Sequence, residues 1–305
     1  MGRQWNPTVS NDYSAKDEGR LKHAESTPNL FAVAGGVPVR PHEFPFMPAF
    51  YHKSNSWTGG CAGALISPRH IITVWHCFRD KDSKFTQVGF HKTDRDDEEG
   101  VVKKQVQRFV FHPVLDVGIL VLKSNVEGIQ PIHLPEDDGC DYNGQIVTLV
   151  GPGPVDDKGT IPDSLFMKVD LVAYTGNGTA KRGPQKGEKC INWEGRKFVC
   201  ATSLQKNPWG SGGSGDSGAP IMICHDGQDG HDRNTGDDCT LIGVLSGGTG
   251  SNFKSGSAGP CVSGLRPWID MVIKETGGNK RNTQSDPSDP SDPSNPSDPS
   301  DPSAE

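Results

Sequence analysis

His70-Ile71-Ile72-Thr73-Val74-Trp75-His76-Cys77 begins with a β-branched, apolar run and turns polar at its end. A short apolar run that stops abruptly reads as a buried strand. The same pattern recurs at Gly63-Ala64-Leu65-Ile66, Gly118-Ile119-Leu120-Val121-Leu122, Gln145-Ile146-Val147-Thr148-Leu149-Val150 and Leu241-Ile242-Gly243-Val244-Leu245. Clusters of Gly, Pro, Asn and Asp separate these runs. Many short strands broken in this way predict an all-β barrel or sandwich. One helix is expected, over Pro267–Glu275. It has Pro near its start, an apolar face, and Gly277-Gly278 as a stop.

The strand-rich stretch covers residues 33–276. Residues 1–32 are polar, without helical or strand period, and read as a leader or propeptide; they hold no apolar run of the signal-peptide kind. Residues 277–305 end in a Ser-Asp-Pro repeat. It has no apolar side chains to offset the entropy of ordering and reads as an extended, disordered tail. Net charge is -7. Residues 281–305 carry one Arg, five Asp and one Glu, so the rest carries -7 - (-5) = -2. No clustered positive charge suggests a nucleic-acid partner. No apolar run reaches the roughly 18 residues of a membrane helix. Eight cysteines, an even number, point to disulfides and an extracellular setting. They lack C-x-x-C spacing, so a zinc site is not expected.

Three residues carry chemistry. Gly215-Asp216-Ser217-Gly218-Ala219-Pro220 surrounds a serine with glycines, which lets backbone N–H groups converge on one point. A serine hydroxyl becomes a nucleophile when a base removes its proton and when donors await the oxyanion it creates. Gly215 and Ser217 would supply those donors. His76 closes an apolar strand beside Cys77, and a Cys61–Cys77 bridge would pin its loop. Histidine is the side chain that takes and returns a proton near neutral pH. Asp116 opens a buried strand, where its carboxylate could accept from the imidazole and set its tautomer. The order His76, Asp116, Ser217 over about 140 residues is that of a known catalytic triad.

With these motifs the chain resembles the trypsin and chymotrypsin family of serine proteases over roughly residues 33–276. Cys61-Ala62-Gly63-Ala64-Leu65-Ile66 resembles the family's Cys-Gly-Gly-Ser-Leu-Ile. Thr73-Val74-Trp75-His76-Cys77 resembles Thr-Ala-Ala-His-Cys, and Asp116-Val117-Gly118-Ile119-Leu120 resembles Asp-Ile-Ala-Leu-Leu. Pro131-Ile132-His133-Leu134-Pro135 is similar to the inter-barrel connection. The resemblance implies two antiparallel six-stranded barrels with the site between them, and a C-terminal helix. It implies a secreted endopeptidase without a cofactor, acting as a monomer on peptide substrates. An activating protease and inhibitors would be its other partners.

The resemblance also implies individual roles. Val33-Ala34-Gly35-Gly36 is similar to the start of the mature enzymes, so a freed Val33 ammonium would pair with Asp216. Ser246-Gly247-Gly248 would bind the substrate backbone, with Ser246 also supporting Asp116. Ser211, six residues before Ser217, would lie in the specificity pocket, where a neutral hydroxyl favours uncharged or apolar substrate residues. Cys261 would stand where a glycine normally lines that pocket. Cys190–Cys200 would form the methionine-loop disulfide, and Cys224–Cys239 a hairpin bridge. Cys140 and Cys261 are left without a geometric case for joining them.

The chain departs from the family pattern in several places. Trp75 replaces a small residue, Gly247 replaces Trp, and Gly213 replaces a cysteine. His112-Pro113 lies close before Asp116, which shortens a flanking loop. The acidic loop Asp94–Glu99 reads as solvated in preference to a calcium site. Asn177-Gly178-Thr179 is a glycosylation sequon. The rival expectation is a non-catalytic homologue that binds partners through the same fold.

Overall fold

His70–Thr73 is a strand with all four residues buried in the computed structural model of the chain. The structure describes residues 33, 35–52, 60–79, 85–92, 94, 96–136, 139–153, 164–176, 178–179, 186–187, 189–190, 196–204, 210–213, 215–224, 238–248 and 256–277. The leader, the repeat tail and Asn177 lie outside them. In chain order the strands begin with β1 (Val37–Pro38), β2 (Ala49–His52), β3 (Ala64–Ser67), β4 (His70–Thr73), β5 (Phe85–Phe90), β6 (Val102–Phe111) and β7 (Gly118–Leu122). They continue with β8 (Ile146–Gly151), β9 (Met167–Thr175), β10 (Phe198–Ser203), β11 (Pro220–Cys224), β12 (Cys239–Val244), β13 (Gly247–Gly248) and β14 (Ser257–Pro260). Helix α1 (Arg266–Gly277) follows.

Strands β2 to β7 form one antiparallel sheet in the order β2-β5-β6-β7-β4-β3. It curls toward closure, because the Leu65 N–H in β3 donates to Phe46 O just ahead of β2 (2.9 Å). The second sheet runs β12-β11-β8-β9-β10-β14-β13, with β1 on β9. It curls as well: Gly243 in β12 bridges Cys261 directly after β14. The two antiparallel barrels of the family are therefore present as curled sheets. The second has eight strands because β1 and β13, two residues each, join it. Elements that short carry no apolar period for sequence reading to detect.

The continuous apolar runs have a direct cause. Every residue of Gly118–Leu122 is buried, so β7 has no wet face and shows no alternation. Each Leu, Ile or Val withdrawn from water contributes about 1.5–3 kcal/mol. The two sheets share one apolar core. Between them, Ile132 N–H donates to Leu65 O, His133 N–H to Cys239 O, and Leu241 N–H to His133 O. This connection stitches the first sheet to the second.

Helix α1 starts one residue before, and ends two after, the expected span. It buries Ile269, Val272 and Thr276. Thr276 Oγ1 donates to Val272 O (2.6 Å) and so accepts from His70 Nε2 (2.7 Å). His70 is 1% exposed, with Nδ1 facing the Ser67 hydroxyl. Burial, then the charges of Arg69 and Arg108, pushes its imidazole down to about 4. The unfolded chain takes up a proton near pH 6.5, while the folded chain resists until about pH 4. Folding stability from His70 is thus complete above pH 6.5 and is lost as pH falls toward 4. The loss amounts to roughly 3 kcal/mol. Urea unfolding of wild type and His70→Gln at pH 7.5 and 4.5 measures it. The wild type should lose about 2–3 kcal/mol more than the variant; equal losses would exclude this role.

Candidate active site

His76 stands on a single helical turn, Trp75–Cys77, that ends β4. The Cys61–Cys77 disulfide ties this turn to the segment before β3. Asp116 waits at the start of β7, 7% exposed. It accepts three hydrogen bonds: from His76 N–H (2.9 Å) and His76 Nδ1 (2.7 Å), and from the Ser246 hydroxyl (2.6 Å). Burial alone would raise the Asp116 carboxyl. The His76 hydrogen bond and charge, the Ser246 hydroxyl and the His76 N–H outweigh burial and hold it below its ordinary value. An ionised Asp116 keeps the ring proton on Nδ1, which leaves Nε2 facing outward as an acceptor.

Ser217 reaches the same place from the second sheet. Its carbonyl accepts from Ala62 N–H (2.7 Å) and lies 3.8 Å from Cys77 Sγ. The Ser217 loop is therefore held at Ala62, next to Cys61, and at Cys77. Gly218 N–H donates to Leu245 O and Leu245 N–H to Ala219 O, which anchors the other side. Gly218 has φ +88°, and a Cβ there would sit 2.1 Å from Ala62 O, so only glycine fits. Gly215 has φ +98°, which bends the loop back on itself. Among the described residues the N–H groups of Gly215 and Ser217 meet no acceptor. No hydrogen bond yet joins the Ser217 hydroxyl to the His76 ring. Such contacts commonly tighten only when substrate arrives.

Asp216, between those two residues, is 0% exposed. Its carboxylate accepts from Val33 N–H (2.6 Å), Gly213 N–H (3.0 Å) and Gly153 N–H (3.2 Å). Val33 is itself 0% exposed. A bond across 183 positions thus ties the start of the strand-rich region to the nucleophile loop.

Cys261, expected at the specificity pocket, is bonded to Cys140 and sits in the core. The position opposite Gly248 belongs to Ser257, and Gly247 faces Ala258. Ser257 Oγ accepts from Gly212 N–H (2.8 Å), beside buried Ser211. Sequence reading missed Ser257 because the partner register of β13 is invisible without the sheet. Gly247 offers open space where a side chain would stand. Cys190–Cys200 and Cys224–Cys239 complete the four disulfides, the latter joining paired positions of β11 and β12.

The acidic loop is organised around Lys92, whose side chain is 0% exposed. Its ammonium donates to Glu98 (2.7 Å) and Asp97 O (2.8 Å). Lys103 and the Tyr51 hydroxyl also meet Glu98. Burial would raise the Glu98 carboxyl, but Lys92, Lys103 and Tyr51 hold it below the ordinary value. Glu98 is therefore an anchored charge although it is exposed, as are Asp96, Asp97 and Glu99.

Comparison with known proteins agrees with this geometry. The Trypsin family model matches residues 33–269. A chymotrypsin of Phaedon cochleariae is 24% identical over 216 residues, which span 67% of this chain and 73% of that protein. Chymotrypsin-C of Bos taurus is 30% identical over 122 residues, 36% of this chain and 46% of that protein. Glucanase inhibitor protein 1 of Phytophthora sojae is 28% identical over 226 residues, 70% of this chain and 79% of that protein.

Proposed function

Since the chain belongs to the trypsin family over residues 33–269, we propose that it is a secreted serine endopeptidase with His76, Asp116 and Ser217 as its triad. The observation that carries the proposal is the Asp116 carboxylate, which takes the His76 ring, the His76 backbone and Ser246 at once. In the proposed reaction Ser217 Oγ attacks the peptide carbonyl carbon and its proton passes to His76 Nε2. The oxyanion forms against the N–H groups of Gly215 and Ser217. His76 then returns the proton to the leaving amine, and water releases the acyl group by the same steps. Asp116 stays ionised and offsets the imidazolium charge. Four disulfides support an oxidising, extracellular destination. Among the described residues no helix is long and apolar enough to cross a membrane.

Neutral Ser211 supports uncharged or apolar residues before the scissile bond. Ser211 supplies no charge for Lys or Arg, and an unpaired buried cation is costly. The Ser257 side chain, which accepts from Gly212 N–H, is the proposed limit on the space beside Ser211. Ser257→Gly should raise kcat/KM for Phe or Leu substrates roughly tenfold relative to Ala. A peptide-library profile dominated by Arg or Lys would contradict this reading of the pocket.

A second reading comes from the likeness to glucanase inhibitor protein 1 and the bare groove wall at Gly247. It makes the chain a non-catalytic binding module. A serine-directed fluorophosphonate separates the two readings. Covalent labelling at Ser217, absent from Ser217→Ala, supports the peptidase. A chain beginning at Val33 that stays unlabelled would support the binding module.

A further inference from the structure

We propose that His42 and His91 form a binding site for a divalent transition metal of the zinc and copper class. His42 lies between β1 and β2, and His91 directly follows β5. Their Nδ1 atoms face each other at 3.0 Å, with ring centroids 4.8 Å apart. Both residues have left-handed backbone, φ 62° and 63°, the two non-glycine cases among the described residues. This uncommon backbone at both positions brings two tilted imidazoles together.

The separation suits a shared ion. Two nitrogens on a tetrahedral zinc at about 2.05 Å lie ~3.3 Å apart, and two cis nitrogens on a square-planar copper lie ~2.8 Å apart. The observed 3.0 Å falls between them. Imidazole ligates through Nδ1 as well as Nε2, in its neutral form.

The surrounding charges are committed elsewhere. Buried Glu43 meets Lys168 and the Arg40 N–H, and the Lys92 ammonium meets Glu98. Neither a neighbouring ammonium nor a carboxylate therefore competes for the pair. Among the described residues no group of three His, Cys, Asp or Glu stands together, so the two imidazoles would be the protein's only ligands there and water would complete the shell. Exposed His42 leaves the approach open. Without the metal, one ring donates its Nδ1 proton to the other; binding displaces that proton. The bound ion would tie the segment that follows Val33 to the end of β5.

Calorimetric titration with Zn²⁺, and electron paramagnetic resonance with Cu²⁺, test the site without reference to peptidase activity. His42→Asn and His91→Asn are the apt variants, because Asn tolerates left-handed backbone and carries no imidazole. One strong equivalent of metal should bind the wild type, with two nitrogen couplings in the Cu²⁺ spectrum. Each variant should weaken binding roughly tenfold or more and lose one nitrogen coupling. His133→Asn should behave as wild type. The variants lie on separate segments, so a folding failure in one leaves the other decisive. Wild-type affinity in either folded variant, or a spectrum unchanged by both, would overturn the assignment.

Discussion

Ser217→Ala should lower amide hydrolysis by about 10⁶-fold, and Asp116→Asn by about 10⁴-fold, with the melting temperature close to wild type for Ser217→Ala. The difference between the two follows from their atoms. Without the Ser217 hydroxyl no acyl intermediate forms, and only binding and the oxyanion donors remain. Asp116 acts through the tautomer of His76. Its carboxylate receives three donors: His76 N–H, His76 Nδ1–H and the Ser246 hydroxyl. An asparagine brings an NH₂ into a place built for acceptors. One way to relieve the clash moves the ring proton to Nε2, which removes the acceptor that Ser217 needs. Rates with a chromogenic peptide amide, on variants purified free of wild type, measure both effects. Wild-type-like turnover by Ser217→Ala would end the triad assignment.

A chain cut between Ala32 and Val33 should react with a fluorophosphonate roughly 10²–10³ times faster than the uncut chain. Asp216 is fully buried, and in the continuous chain Val33 reaches it as a neutral peptide N–H at 2.6 Å. Cutting that bond turns the same nitrogen into an ammonium. A charge-assisted bond to a buried carboxylate is stronger and shorter than a neutral one. The gain is passed to the loop because Asp216 lies between Gly215 and Ser217, the proposed oxyanion donors. Asn29-Leu30-Phe31-Ala32 holds no basic residue, so the activating enzyme must accept Ala or Phe and not Lys or Arg. Asp216→Asn should erase the difference and leave both forms slow. Equal labelling of cut and uncut wild-type chains, verified by mass spectrometry, would show that no such switch operates.

Some of these features are legible along the chain, and others are not. The residues of β4 and β7 announce themselves because an apolar run and its breakers act over a few neighbours. The polar step at Trp75-His76-Cys77 and the glycines around Ser217 are equally local. The groove is harder. Gly210-Ser211-Gly212-Gly213-Ser214 offers no apolar landmark for alignment. It is the β13–β14 pairing that sets Ser257, and not Cys261, opposite Gly248. The acidic loop shows its charges but not its partner, since buried Lys92 is distinguished from any other lysine only by its surroundings.

By itself the sequence determined the all-β class, a C-terminal helix expected over residues 267–275 and the family, because strand runs, breakers and motifs are short-range signals. Only the tertiary structure decided which distant residues meet. Cys140 finds Cys261 across 121 positions. Ser257 faces Gly248, and His42 meets His91. Each of these contacts depends on sheet register and on the path of a loop. A shift of one residue in either would turn the side chain to the opposite face. No local preference of the residues themselves selects such partners. They are chosen when the two curled sheets close on a shared core, where many small burial terms act together.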